Sequence, residues 1–422
     1  MEGFIMKKKI LAIFLVVAIV AALAVGLTAC KKDDDGEVDY SNIKIGMLCL
    51  HDKNSTYDKN FITAMEEVQR ELGLRDDQVI IKTGIPEDDT CYQEAMNLVD
   101  AGCNIIFADS FGHEAYMLKA ARKAPKVLFA HATGTRAHTE NLPNYVNAFA
   151  SIYEGRFLAG VAAGLKLNEM AKGDVATAEE AKMGYVGAYT YAEVVSGYTS
   201  FYLGAKSVCP NVTMDVQFTG SWYDETAEKE AANLLIEKGC KLISQHADSM
   251  GAPNACEAAK VPNVSYNGST FEACPKTFIV SSRINWAPYY KYLAEQIVNA
   301  KGDVKKANVK TDWTGTIATG SVELTAFGTA AAAGTAEKVA EIKAKLMNGT
   351  LNVFDTATFT VNGKKLETYM ANVNFEDDGT GKDNNKADTQ VVENGVFFES
   401  KHRSAPYFDV RIDGITLLNE KY

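Results

Sequence analysis

The chain is 422 residues long, 47% of them apolar and 23% charged, with a formal net charge of −11. That length and apolar share suffice for two domains with cores of their own. The acidic balance, with no stripe of clustered Lys and Arg, excludes a partner held through nucleic-acid phosphates.

The N-terminal stretch reads as an export signal. Positive charge at Lys7, Lys8 and Lys9 precedes an apolar run over 10–27, which closes on Leu27-Thr28-Ala29-Cys30. Small residues ahead of that cysteine are the pattern of a signal peptide, here 1–29, cleaved before a lipid-bearing Cys30. An uncleaved anchor helix is the alternative, since about 18 apolar residues just span a bilayer. Lys31-Lys32-Asp33-Asp34-Asp35-Gly36-Glu37 cannot bury apolar surface, so 30–42 reads as a solvated tether. The expected location is extracytoplasmic, held at the cell membrane by lipid on Cys30. No second apolar stretch is long enough to cross a membrane.

Seven further cysteines follow: Cys49, Cys91, Cys103, Cys209, Cys240, Cys256 and Cys274. An odd number leaves at least one unpaired, and no C-x-x-C or Cys/His cluster offers metal spacing. Several flank strand-like runs, where a thiol is expected as a small buried hydrophobe. The six histidines form no i,i+4 pair, so no metal is expected.

From residue 43 on, short β-branched runs alternate with amphipathic stretches. A strand is expected over 43–50, a helix over 61–72, a strand over 79–82, a helix over 90–101 and a strand over 104–108. A helix over 114–122 and a strand over 127–130 follow. The rhythm restarts with an apolar helix over 154–167, then a strand over 183–187, a helix over 193–207, a strand over 213–219, a helix over 225–238 and a strand over 242–245. Two βαβ series predict an α/β fold of two doubly wound lobes, each a parallel sheet with helices on both faces, joined by a hinge. The first lobe is expected to take 43–147 and 286–320, and the second 148–285 and 321–361. Within them, 310–324 carries the last interlobe crossing, 336–346 a helix and 354–361 a strand. Residues 362–422 read as an extension capping a lobe, with an acidic loop over 374–388 and strand-like alternation over 407–418.

Doubly wound sheets bind ligands beyond the carboxyl ends of their strands, so the strand exits are where function belongs. Those exits carry Tyr57 and Asp58, then Asp109 and Phe111, then Trp222, then His246 and Asp248, then Asn267, and finally Asn285 and Trp286. Rings supply stacking area, while carboxylates and amides read edge donors and acceptors or ribose hydroxyls; a flat heteroaromatic ligand needs that mixture. Asn, Asp, Ser and Gly also end strands in ordinary turns. The glycine-rich run 328–334 lacks the Lys-Ser/Thr ending of a phosphate loop and reads as a connector.

The run Glu154-Gly155-Arg156-Phe157-Leu158-Ala159-Gly160 resembles the basic membrane protein family. So do the segments Leu203-Gly204-Ala205-Lys206-Ser207-Val208-Cys209-Pro210-Asn211, Gly220-Ser221-Trp222-Tyr223-Asp224 and Glu228-Lys229-Glu230-Ala231-Ala232. The resemblance runs from about Ile43 to Leu346. It implies a monomeric substrate-binding lipoprotein of an ABC transporter, with a type I periplasmic-binding-protein-like fold, delivering a purine base or nucleoside to a permease. It further implies a purine sandwiched between Tyr57 and Trp222, its edge read by Asp109 and its far side or sugar by Asp248 or Asn267. His246 would donate to ligand or fill a strand end. Asn285-Trp286 stand where many members place a lysine near ribose, so a free base closed on one side by Trp286 is as plausible as a nucleoside. No cofactor is implied. A nucleosidase built on Asp58, Asp109 and His246 would need a dense acidic loop, usually with metal, that the strand exits lack. A ligand sensor presenting to a membrane receptor remains an alternative reading.

Overall fold

The computed structural model describes residues 38–172 and 175–420; the expected signal peptide and Cys30 lie outside them. Among the described residues, no helix is long and apolar enough to cross a membrane.

The first sheet is six-stranded and wholly parallel. It comprises β1 (Ile45–Leu48), β2 (Val79–Lys82), β3 (Ile105–Ala108), β4 (Leu128–Ala132), β5 (Tyr145–Ala150) and β11 (Asp312–Gly315), in the order β11-β5-β4-β3-β1-β2. Ile45 pairs with Val79 on one side and Ile105 on the other. The Ile45–Leu48 segment is buried at every position, as a central strand covered on both faces requires. Helices α1 (Thr56–Glu71), α2 (Asp89–Asp100), α3 (Glu114–Lys123) and α8 (Ala287–Asn299) cover it. Ser55 and Asp88 cap α1 and α2, their side chains accepting from the amides of Asp58 and Thr90.

The second sheet contains β6 (Lys182–Gly187), β7 (Thr213–Phe218), β8 (Leu242–His246), β9 (Asn263–Tyr266), β10 (Phe278–Ile284), β12 (Val322–Leu324) and β13 (Ile415–Leu417). Their order is β12-β10-β9-β8-β6-β7-β13. Helices α4 (Ile152–Met170), α5 (Ala192–Lys206), α6 (Glu225–Glu237) and α7 (Gly251–Ala259) pack on it, and α9 (Thr335–Met347) packs against α4. Only β12 runs antiparallel, against β10. The reason is topological: the parallel strands of both lobes end at the hinge, so a strand entering the second sheet directly from the hinge must run the other way.

The chain crosses between lobes at Ala150–Ile152, Ile284–Ala287 and Gly315–Val322. The expected strand over 354–361 is not one; it keeps isolated bridges at Asp355 and Val361, while Phe354 and Phe359 are drawn into the core. The C-terminal extension does more than cap one lobe. Its β13 lengthens the second sheet beside β7, whereas Ser404 bonds to Asp312 of the first sheet. The cysteines from Cys49 to Cys274 are all buried and free.

Arg156, from the Glu154–Gly160 motif, is buried inside the second lobe. Its guanidinium donates to Ser265 O at 3.0 Å, Tyr185 Oη at 3.1 Å and Ser244 Oγ at 2.7 Å, tying α4 to three adjacent strands.

Candidate functional site

The strand exits of the two lobes face one another across a cleft, where ligands of doubly wound sheets bind. Leu50, His51, Tyr57, Asp58, Ser110, Phe111 and Thr133 line it from the first lobe, and Glu193, Trp222, His246, Asp248 and Tyr266 from the second. The cleft is shut across the lobes. Thr56 N donates to Asp248 O at 3.0 Å, His51 and Tyr223 stand 5.5 Å apart between ring centres, and so do Phe111 and Tyr191.

Tyr57 comes from the first turn of α1. Its hydroxyl donates to Asp109 O at 2.7 Å and its ring meets Phe61 edge-on at 4.8 Å, fixing it from two sides. Trp222 follows β7 and is braced by Tyr189 edge-on at 5.1 Å and by Tyr191 at 6.0 Å. Each lobe thus presents a supported ring to the same cavity, beside Phe111 of the first lobe and Tyr266 of the second.

The carboxyls differ in state. Burial penalises the charge on Asp58, but the His51 ring 3.5 Å away and hydrogen bonds from Ser55 Oγ at 2.6 Å and the His51 amide at 2.7 Å outweigh it and hold this carboxyl below the ordinary range. Asp109, buried beside the cleft, is pushed well above its ordinary value by burial and then by the neighbouring Asp58 charge. One of its oxygens accepts from Leu50 N at 3.1 Å, and the other has no partner. Asp248 is likewise pushed well up, by burial and then by Asp58 and Glu228. Burial pushes His246 down, so it is neutral, with Nε2 3.4 Å from Glu193. Its Nδ1 lies against α5, where a Cβ on Gly197 would come within 2.5 Å of it. Among the described residues no Lys or Arg lines the cavity. The lining therefore offers rings, carboxyl groups and hydroxyls.

Cys49, Asp58 and Asp109 have ligand atoms within 4.8 Å of one another, the one trio with metal-like spacing among the described residues. Both Asp58 oxygens already accept hydrogen bonds, and burial beside the Asp58 charge raises Asp109.

Not every expected residue meets the cleft. Tyr57, Asp58, Phe111, Trp222, His246 and Asp248 line it, while Asp109 and Asn267 are buried next to lining residues. Asn267 adopts φ 64° and leaves its Nδ2 unpartnered. Trp286 is a correction: 1% exposed, it stacks on Phe61 at 4.4 Å within a cluster that includes Phe107 and Tyr289. That indole fills the first lobe's core and cannot close the cavity. Asn285 is a second correction: it bonds Glu323 at 3.3 Å and its side chain accepts from Ala287 N at 3.1 Å, at the start of α8. His51, Thr133 and Glu193 escaped the sequence reading, whereas Tyr266 stands in the same strand exit as Asn267. Glu193 opens the helix after β6 and Thr133 follows β4, so the strand-exit rule applied to every strand would have found both.

A bilobed α/β receptor with a cleft between its lobes is the class this architecture defines. Residues 47–356 match the family described as ABC transporter substrate-binding protein, PnrA-like, and the chain belongs to that family. It is 29% identical over 343 residues to a purine-binding protein of Brucella abortus, covering 81% of this chain and 89% of that one. It is also 30% identical over 256 residues to a putative ABC transporter glucose-binding protein of Haloferax volcanii, covering 61% of this chain and 60% of that protein. Among solved structures, an ABC transporter solute-binding protein from Conexibacter woesei superposes with a TM-score of 0.58 at 20% identity, covering 74% of this chain and 98% of that one. That likeness is one of fold.

Proposed function

We propose that this substrate-binding protein captures a purine base or nucleoside between Tyr57 and Trp222 and hands it to an ABC permease while anchored by lipid on Cys30. The observation that carries this reading is a supported aromatic ring on each lobe, facing one cavity whose charged lining groups are carboxylates. Two rings closing from opposite lobes suit a flat heterocycle. Asp109, Asp248 and Asn267 supply hydrogen-bond partners to its edge or to a sugar. With no Lys or Arg in the lining among the described residues, a base or nucleoside suits the cleft better than a nucleotide. The Brucella abortus relative supports a purine; the Haloferax volcanii relative, named as a putative glucose-binding protein, supports a sugar as the second reading.

Native mass spectrometry of the purified protein, followed by calorimetry with adenine, guanosine and glucose, separates the two. Retention of a purine and saturable heat with adenine or guanosine are expected. Glucose binding without purine binding would overturn the proposal. Cys30→Ala should release the protein from the membrane fraction.

A further inference from the structure

Residues beyond 356 lie outside the stretch that matches the family, yet they touch both lobes. On the second lobe their hold is extensive. Ile415–Leu417 pairs with β7, Arg411 Nη1 donates to Tyr198 Oη at 2.7 Å, and Ser196 donates to the buried Glu399. Phe354, Phe397 and Phe408 form a ring cluster, with Phe354 stacked on Phe408 at 4.2 Å. Arg403 stiffens the middle of the segment, its guanidinium donating to Val373 O at 2.8 Å, Pro406 O at 3.0 Å and Ala405 O at 3.1 Å.

On the first lobe the hold is small and polar. Ser404 N and Oγ donate to Asp312 Oδ1 at 3.0 and 2.9 Å, Asn374 Oδ1 is 3.2 Å from His138 Nε2, and Phe375 lies 4.2 Å beneath the Arg136 guanidinium. Asp312 and His138, 3.3 Å apart, are themselves neighbours.

We infer that residues 357–420 form an interlobe strap, fixed on the second lobe and latched to the first at Asp312, His138 and Arg136, which holds the closed arrangement. The three hinge crossings allow the lobes to rotate about short connections. A stiff segment spanning both lobes adds a fourth tie, and it yields where it is weakest, at the polar contacts with the first lobe. Those contacts form in the arrangement that also brings Thr56 against Asp248. A latch made in one state and broken in the other shifts the equilibrium by the worth of its contacts, whatever ligand the cleft takes. The strap thus sets the closed share of the empty receptor.

The test needs no ligand. Lys59 and Lys229 are exposed, one on each lobe, and the native cysteines from Cys49 to Cys274 are buried. Spin labels on Lys59→Cys and Lys229→Cys therefore report interlobe distance by pulsed electron resonance. In the ligand-free protein, Ser404→Ala with Asn374→Ala should raise the share of long distances about fivefold. Arg136→Gln should act in the same direction, and covers the case in which the double variant melts early. An unchanged distance distribution in variants that melt cooperatively would overturn the strap. Because no purine enters the experiment, this outcome is independent of the ligand assignment.

Discussion

The indole of Trp222 is half-buried and faces the cleft, whereas that of Trp286 is enclosed by Phe61, Phe107 and Tyr289. The two therefore carry different free energies. Trp222→Ala should weaken purine binding by about 1–3 kcal/mol, the worth of a stacked base, with little change in melting temperature. Trp286→Ala should cost about 3–5 kcal/mol of stability through the cavity it leaves, and affect binding only as far as the first lobe loosens. Calorimetric titration paired with urea denaturation of both variants separates these outcomes; a stability loss at Trp222 matching that at Trp286 would contradict the assignment. In the sequence both tryptophans stand just beyond a strand, and nothing local distinguishes them. What decides is the turn that follows: at Trp286 the chain enters α8 directly, so the ring swings under the helix instead of over the cleft. Tyr57, Asp58 and Asp248 were legible because a strand exit precedes each. His51 was less so, since its place depends on how the opposite lobe closes.

At the scale of elements, the joint between α4 and α5 carries much of the second lobe. Both helices are buried over most of their surface, so their sequences lack a polar face and helix could be recognised only from length and the spacing of small residues. The glycines are what bring them together. A Cβ on Gly160 would stand 2.0 Å from Phe201 O, and one on Gly204 would stand 2.0 Å from Phe157 O. Backbone cannot yield as a side chain does, so Gly160→Ala should force the helices apart and destabilise by about 1–3 kcal/mol or more. Far-UV circular dichroism should stay unchanged while the urea midpoint falls; an unmoved midpoint would show that the helices can part freely. The alternation of strands and helices was readable because each βαβ unit is local. The strand pair β5 and β11 and the reversed β12 were not, because their pairing is decided by crossings of the hinge. The false strand over 354–361 shows the same limit: its apolar residues serve the strap's ring cluster and not a sheet.

Across the whole molecule, buried carboxyls and buried imidazoles oppose each other in how stability varies with pH. Burial pushes Glu154, whose carboxylate accepts from Ile317 N at the third hinge crossing, up to about 7. It pushes Glu228 up to about 7 beneath Ser249, and Glu399 of the strap up to about 8. An acid whose folded value is raised favours the protonated fold. Its contribution is complete below the unfolded value, 4.5, and is lost as pH rises through the folded one, about 8 for Glu399. Imidazoles act in the other direction: burial pushes His113 down to about 4, so its contribution is present above the unfolded 6.5 and lost as pH falls through 4. Burial lowers His131 and His246 as well. Between 4.5 and 6.5 the two sets offset one another, and above 6.5 the imidazoles have nothing left to add while the carboxyls are still losing protons. The melting temperature should therefore fall between pH 6.5 and 8. Glu399→Gln cannot ionise, so the gap between it and the native chain should widen in its favour across that interval. Differential scanning calorimetry of both proteins over the same buffers decides it, and parallel curves would mean that the Glu399 carboxyl keeps its proton throughout or meets water in the folded chain.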